Sequence, residues 1–563
     1  MSRTVIDLVN QSVKKNPNKP ALIFFGRKVS YRELDERSTE FAKCLLEMGL
    51  KFGNRVAVLL PNCPQEVIAY LGILKAGCVF VSLNPLVKIE DTIAVLNKAK
   101  PALLITLEDF VEHNKKICES NSVSEMMTVD LGDYFPFLLR MAYRFKTRNK
   151  PRFKNDDLLS WDNNWIRFTA ADCDEPLPLI GPTDLAVFQP TGGTTGVPKM
   201  VMLTHANLVS NTLQAIQAVN QDGSVVGPDS VFLGVIPFFH VYGLAICLNM
   251  AFALGSTVVI AVPRPPKPPS KEELEKLSDD KRKQVLAAYG RARELSVSRA
   301  VLSALRKYKV SVFPCIPRIY HCLANDPDLE NEHYSDLGRY LKICFSGADR
   351  LDPNTKRKFE KLTGAVISEG YGQSEASPVI SVNPVKGGKS GSLGKLIPDT
   401  KMKIVDGELW VQGPQVMMGY YDNREATLKA LTPDNWLRTG DLVRLDEDGF
   451  LWMEDRVDDM VKKNGEKVFT FKIEQALKYH SSVADVAVVG VPDPKSGSRI
   501  VAFLVLRPGN EASEKTAEEI KRFCRNTIKM NSIEIPDDVR FVAEIPRTAV
   551  GKALKGELRK MLK

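Results

Sequence analysis

The sequence lacks the cysteine and histidine spacings that hold a structural zinc ion. Its 10 cysteines are dispersed over 563 residues, no two of them form a CxxC pair, and the 6 histidines add no ligand spacing. We therefore expect reduced, mostly buried thiols, as in a cytoplasmic protein. We also expect no secretion, because the N-terminal residues carry scattered charge and no apolar stretch before a small-residue cleavage site.

A strong excess of charge of one sign is missing as well. The 77 Lys+Arg residues against 68 Asp+Glu residues give a net charge of +9, which is modest for this length and predicts no nucleic-acid partner. It is compatible with anionic small ligands or a negatively charged membrane surface. The composition, 44% hydrophobic and 26% charged, excludes a disordered or fibrous chain and predicts a globular protein with two or more compact units.

Long hydrophobic runs are also scarce. One run, Val241–Val262, carries no charge over 22 residues and is long enough to suggest a membrane span. The pair Gly255 and Ser256 interrupts it, and its second half is rich in Val and Ile. We therefore predict a buried helix, a break and a buried strand.

The remaining pattern predicts an α/β fold. Strand-like runs such as residues 55–60 alternate with helix-patterned segments such as Tyr31–Met48, which is typical of βαβ units. Between about Tyr371 and Glu454, short strands with Gly and Pro turns indicate a small antiparallel, barrel-like subdomain. We predict a large N-terminal domain, residues 1–457, that holds two βαβ-type sheets and this subdomain. A small mobile α+β domain, residues 458–563, follows it.

Two segments stand apart from this pattern. Phe135–Lys154 combines bulky apolar residues with many arginines and lysines, so it predicts either a contact with a membrane surface or a charged loop that packs its aromatics on the domain. Residues 263–300 begin with PRPPKPPS and continue as a highly charged, helix-forming sequence. We predict that this insert is a surface excursion without catalytic groups.

A Gly/Thr-rich loop, TGGTTGVPK at residues 191–199, follows an apolar strand and carries the strongest chemical signal. Its glycines let backbone N–H groups approach phosphate oxygens, its threonines add hydroxyl donors, and Lys199 adds a cation. It is not a Walker A loop, because the sequence contains no GxxxxGK[ST] match. Taken alone, the loop fits a structural turn as well as a polyphosphate cradle. The phosphate-binding candidates are Thr191, Gly192, Gly193, Thr194, Thr195, Gly196 and Lys199.

Further motifs follow this loop in a fixed order and remove most of that ambiguity. They are PFFHVYG at 237–243, SGADRL at 346–351, GYGQSE at 370–375, WLRTGDL at 436–442, DRVDD at 455–459, NGE at 464–466 and PRTAVGK at 546–552. Over nearly its whole length the chain resembles the adenylate-forming superfamily of acyl-CoA synthetases, peptide-synthetase adenylation domains and luciferases. Within it, the chain most resembles the long-chain fatty-acid–CoA ligases.

The resemblance implies ATP-dependent activation of a fatty acid to acyl-AMP with release of pyrophosphate, then acyl transfer to coenzyme A. It implies ATP, Mg²⁺ and coenzyme A, a cytoplasmic location with peripheral membrane contact left open, and an open oligomeric state in which a homodimer is one alternative. Transfer to a carrier-protein phosphopantetheine and an aryl or other acid substrate stay open. A silent nucleotide or lipid binder is disfavoured, because Glu375, Asp441 and Lys552 are all present.

The resemblance assigns nucleotide and metal contacts residue by residue. Glu375 would hold Mg²⁺ through hard oxygen ligation and act catalytically, with Ser374 beside it on a phosphate. Tyr371 would lie against the adenine, unless it is merely packed. Asp441 would accept both ribose hydroxyls and Arg456 would contact ribose or phosphate, with a surface ion pair as the alternative for both. The other nucleotide-binding candidates are Gly347, Ala348, Asp349, Glu369, Gly370, Gly372 and Gln373.

Further assignments concern the two half-reactions. Lys552 would neutralise charge during adenylation, and Thr191 stands with it among the catalytic candidates. His240 would gate or position the acyl group at the mouth of its pocket, with a core histidine as the alternative. Asp458 matches the hinge at which the C-terminal domain rotates between the two steps. The residues that would face the coenzyme A tunnel are Asn464, Gly465 and Glu466.

The sequence departs from the family pattern at three places. It has SGADRL where SGGAPL-like forms are common, Asp455 in place of the Gly before Arg456, and Ser374 in place of a common Thr. None of these changes removes a catalytic group. They leave the reaction class intact and put the fine geometry of the nucleotide and acyl sites in question.

Overall fold

The structure, a computed structural model, describes residues 3–149, 159–160, 176–191, 198–221, 223, 225–263, 266–330, 334, 336–507, 509–547 and 553–562. The chain forms two compact units. The first unit comprises Met1–Thr191, Pro198–Thr400 and Gly413–Thr427. The second unit comprises Lys401–Gln412 and Leu428–Lys563.

Among the described residues, the first unit contains a nine-stranded sheet. In spatial order its strands are Lys395–Leu396, Val379–Val382, Ile367–Gly372, Ile343–Ser346, Val312–Cys315, Val231–Gly234, Thr257–Ile260, Pro20–Phe24 and Arg27–Ser30. The inner strands are parallel, and antiparallel pairs close both edges. The inner strands are almost entirely buried, because helices cover such sheets on both faces.

A second sheet of the first unit has eight described strands. In spatial order they are Gly419–Tyr420, Lys199–Thr204, Leu185–Thr191, Val79–Ser82, Arg55–Leu59, Leu103–Leu107, Glu125–Val129 and Leu159–Ser160. The strands from Leu185–Thr191 to Leu159–Ser160 are parallel, and the first two strands extend the sheet in antiparallel fashion. The two βαβ-type sheets predicted from the sequence are therefore present.

The helices of the first unit follow ordinary capping and amphipathic rules. Tyr31–Glu47, for example, begins after Ser30, whose hydroxyl accepts from the backbone N–H of Glu33 at 3.1 Å, and it buries Leu34 and Phe41 on one face. The longer helices include Val5–Lys15, Pro64–Lys75, Ile89–Ala99, Val111–Glu119, Phe137–Thr147, His205–Val219, Asp279–Lys307, Pro317–Ala324 and Pro353–Thr363. The shorter helices are Leu131–Tyr134, Gly243–Asn249, Met250–Leu254, Lys271–Glu275, Pro327–Glu330, Leu337–Arg339, Ser374–Ala376 and Arg424–Ala430, of which the last crosses into the second unit.

The uncharged run Val241–Val262 folds as predicted. A π-helical turn, Gly243–Asn249, continues into the α-helix Met250–Leu254. Gly255 then ends the helix with a left-handed φ of +67°, and the buried strand Thr257–Ile260 follows. Across the part of the chain that the structure describes, no helix combines the length and apolar character needed to cross a membrane.

The second unit begins with an antiparallel sheet, which covers the later part of the β subdomain expected between about Tyr371 and Glu454. Its strands in order are Lys401–Val405, Glu408–Gln412, Leu437–Leu445 and Leu451–Arg456. The strands Val379–Val382 and Lys395–Leu396 of that expected subdomain belong instead to the edge of the nine-stranded sheet. A hairpin, Val461–Lys463 with Glu466–Val468, leads to a sheet formed by Val483–Asp493, Gly497–Leu506 and Asp538–Phe541. The helices here are Thr470–Lys478, Glu514–Asn526 and Lys555–Lys560. The independence of residues 458–563 as a mobile domain stays a prediction.

The cysteines and the charged insert agree with the sequence analysis. Among the described cysteines, seven are buried, Cys118 and Cys322 are partly buried, and all nine are free thiols. Cys173 lies outside the described residues. The insert forms the helix Lys271–Glu275 and most of the helix Asp279–Lys307. Of the side chains that the structure describes between residues 281 and 300, all except Ser298 are exposed or half-buried.

Candidate active site

The two ends of the Gly/Thr-rich loop are joined by an antiparallel ladder. Thr191 and Lys199 lie opposite each other in the register of the flanking strands, and the Thr191 hydroxyl donates to the Lys199 carbonyl at 3.3 Å. The structure therefore describes the stem of the loop. The candidate residues Gly192, Gly193, Thr194, Thr195 and Gly196 lie outside the described residues, as does Lys552.

A buried tyrosine connects this stem with the predicted metal ligand. Tyr420 is 7% exposed and lies on the edge strand that pairs with Lys199–Thr204. Its hydroxyl donates to Glu375 Oε1 at 2.8 Å, and Lys199 Nζ lies 5.1 Å from the centre of its ring. Glu375 is also fixed through its carbonyl, which accepts from the backbone N–H of Met417 at 2.9 Å. The fold thus places the Glu375 carboxylate and the Lys199 ammonium beside the same side chain, that of Tyr420.

In the segment before Glu375, hydrogen bonds and close packing within the fold account for several of the residues. Glu369 is buried, and its Oε1 accepts from Lys356 Nζ and from the backbone N–H of Gly391, each at 3.2 Å. A Cβ at Gly372 would lie 1.9 Å from the carbonyl oxygen of Pro378, so no larger residue fits there. Glu369 therefore supports the strand from inside, and its predicted contact with nucleotide stays a prediction, as do those of Gly370 and Tyr371.

Two polar atoms at neighbouring strand ends are buried without a hydrogen-bond partner. They are Ser346 Oγ, at the end of Ile343–Ser346, and Gln373 Nε2, just after Ile367–Gly372. These strands are parallel neighbours, so their carboxyl ends lie side by side. Ligands of open α/β sheets bind outside such ends. Because buried polar atoms are normally hydrogen-bonded, the two atoms fit a polar ligand at this edge.

The SGADRL segment at the same edge is tightly packed. A Cβ at Gly347 would lie 3.2 Å from the ring of Tyr242, which itself is buried. Ala348 adopts a left-handed φ of +74°, a region that disfavours a residue with a Cβ. The Asp349 carboxylate accepts from the backbone N–H of Arg350 at 2.8 Å. The departure from SGGAPL therefore places a strained alanine where glycine is common.

His240 ends a loop that follows the strand Val231–Gly234 and is held by residues in and beside the eight-stranded sheet. Asn62 donates to the Ile236 carbonyl at 2.7 Å and accepts from the backbone N–H of Phe238 at 2.9 Å. The Phe239 carbonyl accepts from Ser82 and Gln189, which belong to the eight-stranded sheet. Sequence analysis missed these three residues, because nothing local marks their distant partners.

The His240 ring itself is uncharged at neutral pH. Its Nδ1 accepts from the backbone N–H of Tyr242 at 3.2 Å, and burial lowers its pKa to about 4. A neutral, partly buried imidazole that points back to its own loop is suited to shaping a pocket. Its predicted role at the mouth of the acyl pocket stays a prediction.

In the second unit, the predicted ribose residues form a pair. Asp441 and Arg456 lie opposite each other on adjacent antiparallel strands, and Arg456 Nε lies 3.2 Å from Asp441 Oδ1. The side chain of Asp441 is 8% exposed. The ion pair offered as an alternative for these residues is therefore present. The Asp441 carboxylate can accept from ribose hydroxyls as well as from Arg456, so the ion pair does not exclude the ribose contact. That contact stays a prediction.

The predicted coenzyme A loop is a hairpin turn. Asn464 and Gly465 have φ values of +52° and +83° and connect Val461–Lys463 with Glu466–Val468. Two consecutive left-handed residues define the type I′ turn, for which Asn-Gly is the preferred sequence. The left-handed φ that this turn requires is by itself sufficient to explain why a glycine occupies position 465. Asp458, the predicted hinge, is exposed just after the strand Leu451–Arg456.

A buried polar network lies on both sides of Asp458 in sequence. Asp455 is 1% exposed and accepts from the Thr470 hydroxyl and from the backbone N–H of Phe471, both at 3.4 Å. Burial raises its pKa to about 6. Lys555 Nζ donates to Thr470 at 3.0 Å and lies 3.5 Å from Asp459. Asp455 therefore joins the strand before the predicted hinge to the helices that follow it.

Comparison with known proteins decides the family. The AMP-binding enzyme model matches residues 9–288 and 283–421, and the model of the AMP-binding enzyme C-terminal domain matches residues 472–552. The chain belongs to the AMP-binding enzyme family.

Full-length relatives of this AMP-binding enzyme agree with that assignment. This chain is 34% identical over 578 residues to a long-chain-fatty-acid–CoA ligase of Bacillus subtilis (strain 168), and the match covers 99% of this chain and 94% of that protein. A long-chain-fatty-acid–CoA ligase of Escherichia coli O157:H7 is 30% identical over 579 residues with the same coverage. The crystal structure of an ATP-bound RpMatB-BxBclM chimera shares the fold, with a TM-score of 0.79 and 24% identity over 100% of this chain and 99% of that chain.

These comparisons confirm the predicted superfamily, the α/β fold and the enzyme class, an AMP-forming acid–thiol ligase that uses ATP.

The described part of the AMP-binding enzyme offers few metal ligands close together. Within the described ranges, no group of three or more His, Cys, Asp or Glu side chains could hold a metal ion. Mg²⁺ characteristically binds through one or two carboxylates together with substrate phosphates. The single carboxylate of Glu375 is therefore compatible with Mg²⁺ that arrives with ATP.

Proposed function

We propose that this AMP-binding enzyme activates a fatty acid with Mg²⁺-ATP and transfers the acyl group to coenzyme A. In the first step a carboxylate oxygen attacks the α-phosphorus of ATP, and pyrophosphate leaves as acyl-AMP forms. In the second step the coenzyme A thiol attacks the acyl carbonyl, and AMP leaves as the thioester forms. The full-length similarity to two long-chain-fatty-acid–CoA ligases supports a fatty acid as the substrate and coenzyme A as the acceptor.

The observation that carries the proposal is the meeting of Glu375, Tyr420 and Lys199 in the first unit. Negative charges are forced together during adenylation, so the transition state needs cations and oriented donors. Glu375 is the proposed Mg²⁺ ligand, and the Tyr420 hydroxyl orients its carboxylate. Lys199 sits at the end of the phosphate-loop stem. When bound, Mg²⁺ would neutralise phosphate charge and fix the geometry of the leaving pyrophosphate.

The nucleotide is proposed to bind along the edge at which the strands Ile343–Ser346 and Ile367–Gly372 end. Tyr371 and the backbone at 347–349 would line the adenine pocket, and Gln373 and Ser374 would contact polar groups of the nucleotide. The unsatisfied Ser346 Oγ and Gln373 Nε2 support a polar ligand there. In the second unit, Asp441 is the proposed acceptor for the ribose hydroxyls, and Arg456 contacts ribose or phosphate.

Two further residues are each proposed to act in one of the two half-reactions. Lys552 neutralises phosphate charge during adenylation. Asp458 is the hinge at which residues 458–563 reorient for thioester formation, when the loop Asn464–Glu466 faces the thiol. Asp458 itself is exposed, whereas the hydrogen bonds from Thr470 and Phe471 to buried Asp455 cross the hinge, so the reorientation would exchange these contacts.

Measurement of pyrophosphate release with acids from acetate to palmitate, and with benzoate, tests the substrate class. Each acid is supplied with ATP and Mg²⁺ alone, with coenzyme A, or with a phosphopantetheinylated carrier protein. We expect the largest release with the longer fatty acids, and thioester only with coenzyme A. A preference for benzoate would favour an aryl acid, and thioester formation only on the carrier would favour the other alternative. No release with any acid would refute the proposal.

The variant Lys552→Ala separates the two half-reactions. Acyl-AMP formation should fall by at least about a hundredfold, because a cation that stabilises transition-state charge is lost. Thioester formation from supplied acyl-AMP should change much less. Lys560→Ala is the matched control, since Lys560 lies nearby in the sequence with a 70% exposed side chain. Equal loss of both steps in Lys552→Ala would contradict its assigned role.

The variant Asp458→Pro tests the hinge. Proline fixes φ near −65°, so the variant should impair thioester formation from supplied acyl-AMP more than it impairs acyl-AMP formation. The hinge assignment fails if thioester formation is unchanged.

A further inference from the structure

The helix Phe137–Thr147 exposes a row of large apolar side chains. Phe137, Leu138, Met141 and Phe145 are 75%, 81%, 57% and 68% exposed. Residues spaced four apart lie on the same helix face, so these four side chains form one continuous strip. Single exposed apolar residues are ordinary, whereas a contiguous apolar strip marks a surface that contacts something. We refer to these four residues as the apolar strip.

The opposite face of this helix is firmly attached to the first unit. The Tyr143 hydroxyl donates to Asp109 Oδ2 at 3.0 Å, and its ring packs edge-on against Phe135 with 5.2 Å between the ring centres. Arg140 and Arg144 donate to Asp133 at 3.0 and 3.3 Å. The helix therefore has a defined rotation about its axis, and the apolar strip faces outward because the inner face is held.

Positive charge accompanies the apolar strip. The residues 137–149 contain four basic residues and no acidic one. Of the basic residues, Arg144, Lys146 and Arg148 are exposed. The Arg148 guanidinium lies 4.6 Å from the centre of the Phe145 ring, so charge and apolar surface adjoin directly. A helix with bulky apolar residues on one face and basic residues beside them is the pattern of a segment that lies in the plane of a membrane interface.

We propose that the apolar strip docks this ligase on the surface of an anionic lipid bilayer. The helix lies flat, with Phe137, Leu138, Met141 and Phe145 among the headgroups and upper acyl chains. Lys146 and Arg148 face the lipid phosphates, while Arg144 stays paired with Asp133. Charge complementarity favours this occupant over an apolar protein partner, whose surface would offer no counter-charge to Lys146 and Arg148. The inference extends the proposed function, since a long-chain acid partitions into the same bilayer, but its physical basis is independent of the reaction.

Vesicle cosedimentation of the full chain tests the proposal. The probes are vesicles of phosphatidylcholine alone and of phosphatidylcholine mixed with phosphatidylglycerol, each at low and high salt. Binding should require phosphatidylglycerol and should weaken in high salt, where surface charges are screened. The double variant Lys146→Glu, Arg148→Glu should weaken binding at least about twentyfold, because each basic residue near an anionic surface contributes roughly fivefold.

A second variant addresses the apolar contribution. Phe137→Ser, Leu138→Ser and Phe145→Ser together should weaken binding at least about tenfold, because the buried apolar area is lost. The matched control is Leu86→Ser with Leu179→Ser, which removes apolar side chains that are 73% and 97% exposed elsewhere. All of these positions are exposed, so circular dichroism should show the same folded content in every variant.

Three outcomes overturn the proposal: no sedimentation of the wild-type chain with anionic vesicles, equal loss in the control variant, or wild-type binding in the charge variant. A concentration-dependent dimer that the apolar-strip variant abolishes would instead assign the surface to a second copy of this chain. Turnover of octanoate without vesicles should be unchanged in every variant. Vesicle binding without turnover of any acid would refute the proposed reaction alone, and turnover without vesicle binding would refute the docking surface alone.

Discussion

Replacement of Asp455 by asparagine should stabilise the second unit. The Asp455 carboxylate is 1% exposed, and burial raises its pKa from 3.8 to about 6. At neutral pH the folded protein therefore holds an ionised group that its surroundings disfavour. Asparagine has the same shape and no charge. The asparagine side chain keeps one oxygen as a hydrogen-bond acceptor. Its NH2 group replaces the oxygen that accepts from the backbone N–H of Phe471, so that hydrogen bond is lost.

The magnitude follows from the two pKa values. One pKa unit corresponds to about 1.4 kcal/mol, so ionisation of Asp455 costs the folded state about 3 kcal/mol well above pH 6. Because the folded-state pKa is raised, this cost is absent below about pH 4 and develops as the pH rises towards 6. Loss of the long hydrogen bond from Phe471 subtracts about 1 kcal/mol. We expect Asp455→Asn to be more stable by about 2 kcal/mol at pH 7.5 and by about 0.5 kcal/mol at pH 5.

Differential scanning calorimetry at both pH values measures this effect. A gain of about 2 kcal/mol should raise the transition that involves the second unit by about 4–8 °C at pH 7.5. Asp537→Asn is the matched control, because Asp537 in the same unit accepts from Lys463 Nζ at 2.8 and 2.9 Å. It should lower stability, since it removes a partner from a largely buried ammonium. A destabilised Asp455→Asn, or a gain that is the same at pH 5 and pH 7.5, would refute the reasoning.

Three further predictions concern the first unit. Ala348→Gly should raise stability by about 0.5–1 kcal/mol in thermal unfolding, because a left-handed φ strains alanine more than the extra freedom of glycine costs; a loss would contradict this. Asp35→Ala should lower stability by about 2–3 kcal/mol in urea unfolding, because the Lys75 ammonium, 5% exposed, loses its 2.6 Å partner; an unchanged midpoint would show that the pair contributes nothing. Tyr420→Phe should raise the KM for Mg²⁺-ATP about five- to tenfold with folding intact, because Glu375 loses a hydrogen bond, and an unchanged KM would remove Tyr420 from the site.

Local patterns predicted the features whose causes are local. The break at Gly255 and the exposed charged insert follow from short stretches of sequence. The Asn464-Gly465 dipeptide carries the local signature of a type I′ hairpin turn, which the prediction of a coenzyme A loop at these residues does not include. The family motifs predicted the reaction class because many of them occur in one order. No single motif carried that conclusion.

Features that depend on distant partners could not be predicted in this way. Tyr420 occurs in a segment without a motif, and only the fold brings its hydroxyl to Glu375. Asn62 fixes the loop before His240 across more than 170 residues of sequence. Asp455 departs from the family pattern in the sequence, yet its burial and its contact with Thr470 arise only from tertiary packing. Side-chain partners of this kind are set by packing, and a single sequence records no packing.

The segment Gly413–Thr427 belongs to the first unit, although in the sequence it lies between the second and third strands of the four-stranded sheet of the second unit. During synthesis, the strands Lys401–Val405 and Glu408–Gln412 emerge before this segment, and their partner Leu437–Leu445 emerges after it. The edge strand Gly419–Tyr420 is therefore synthesised, and able to add to its sheet, before the hairpin that precedes it in the sequence has a third strand. A nascent polypeptide released anywhere between residues 421 and 436 would carry Tyr420 together with an unfinished β-hairpin, whose open edge is prone to aggregation.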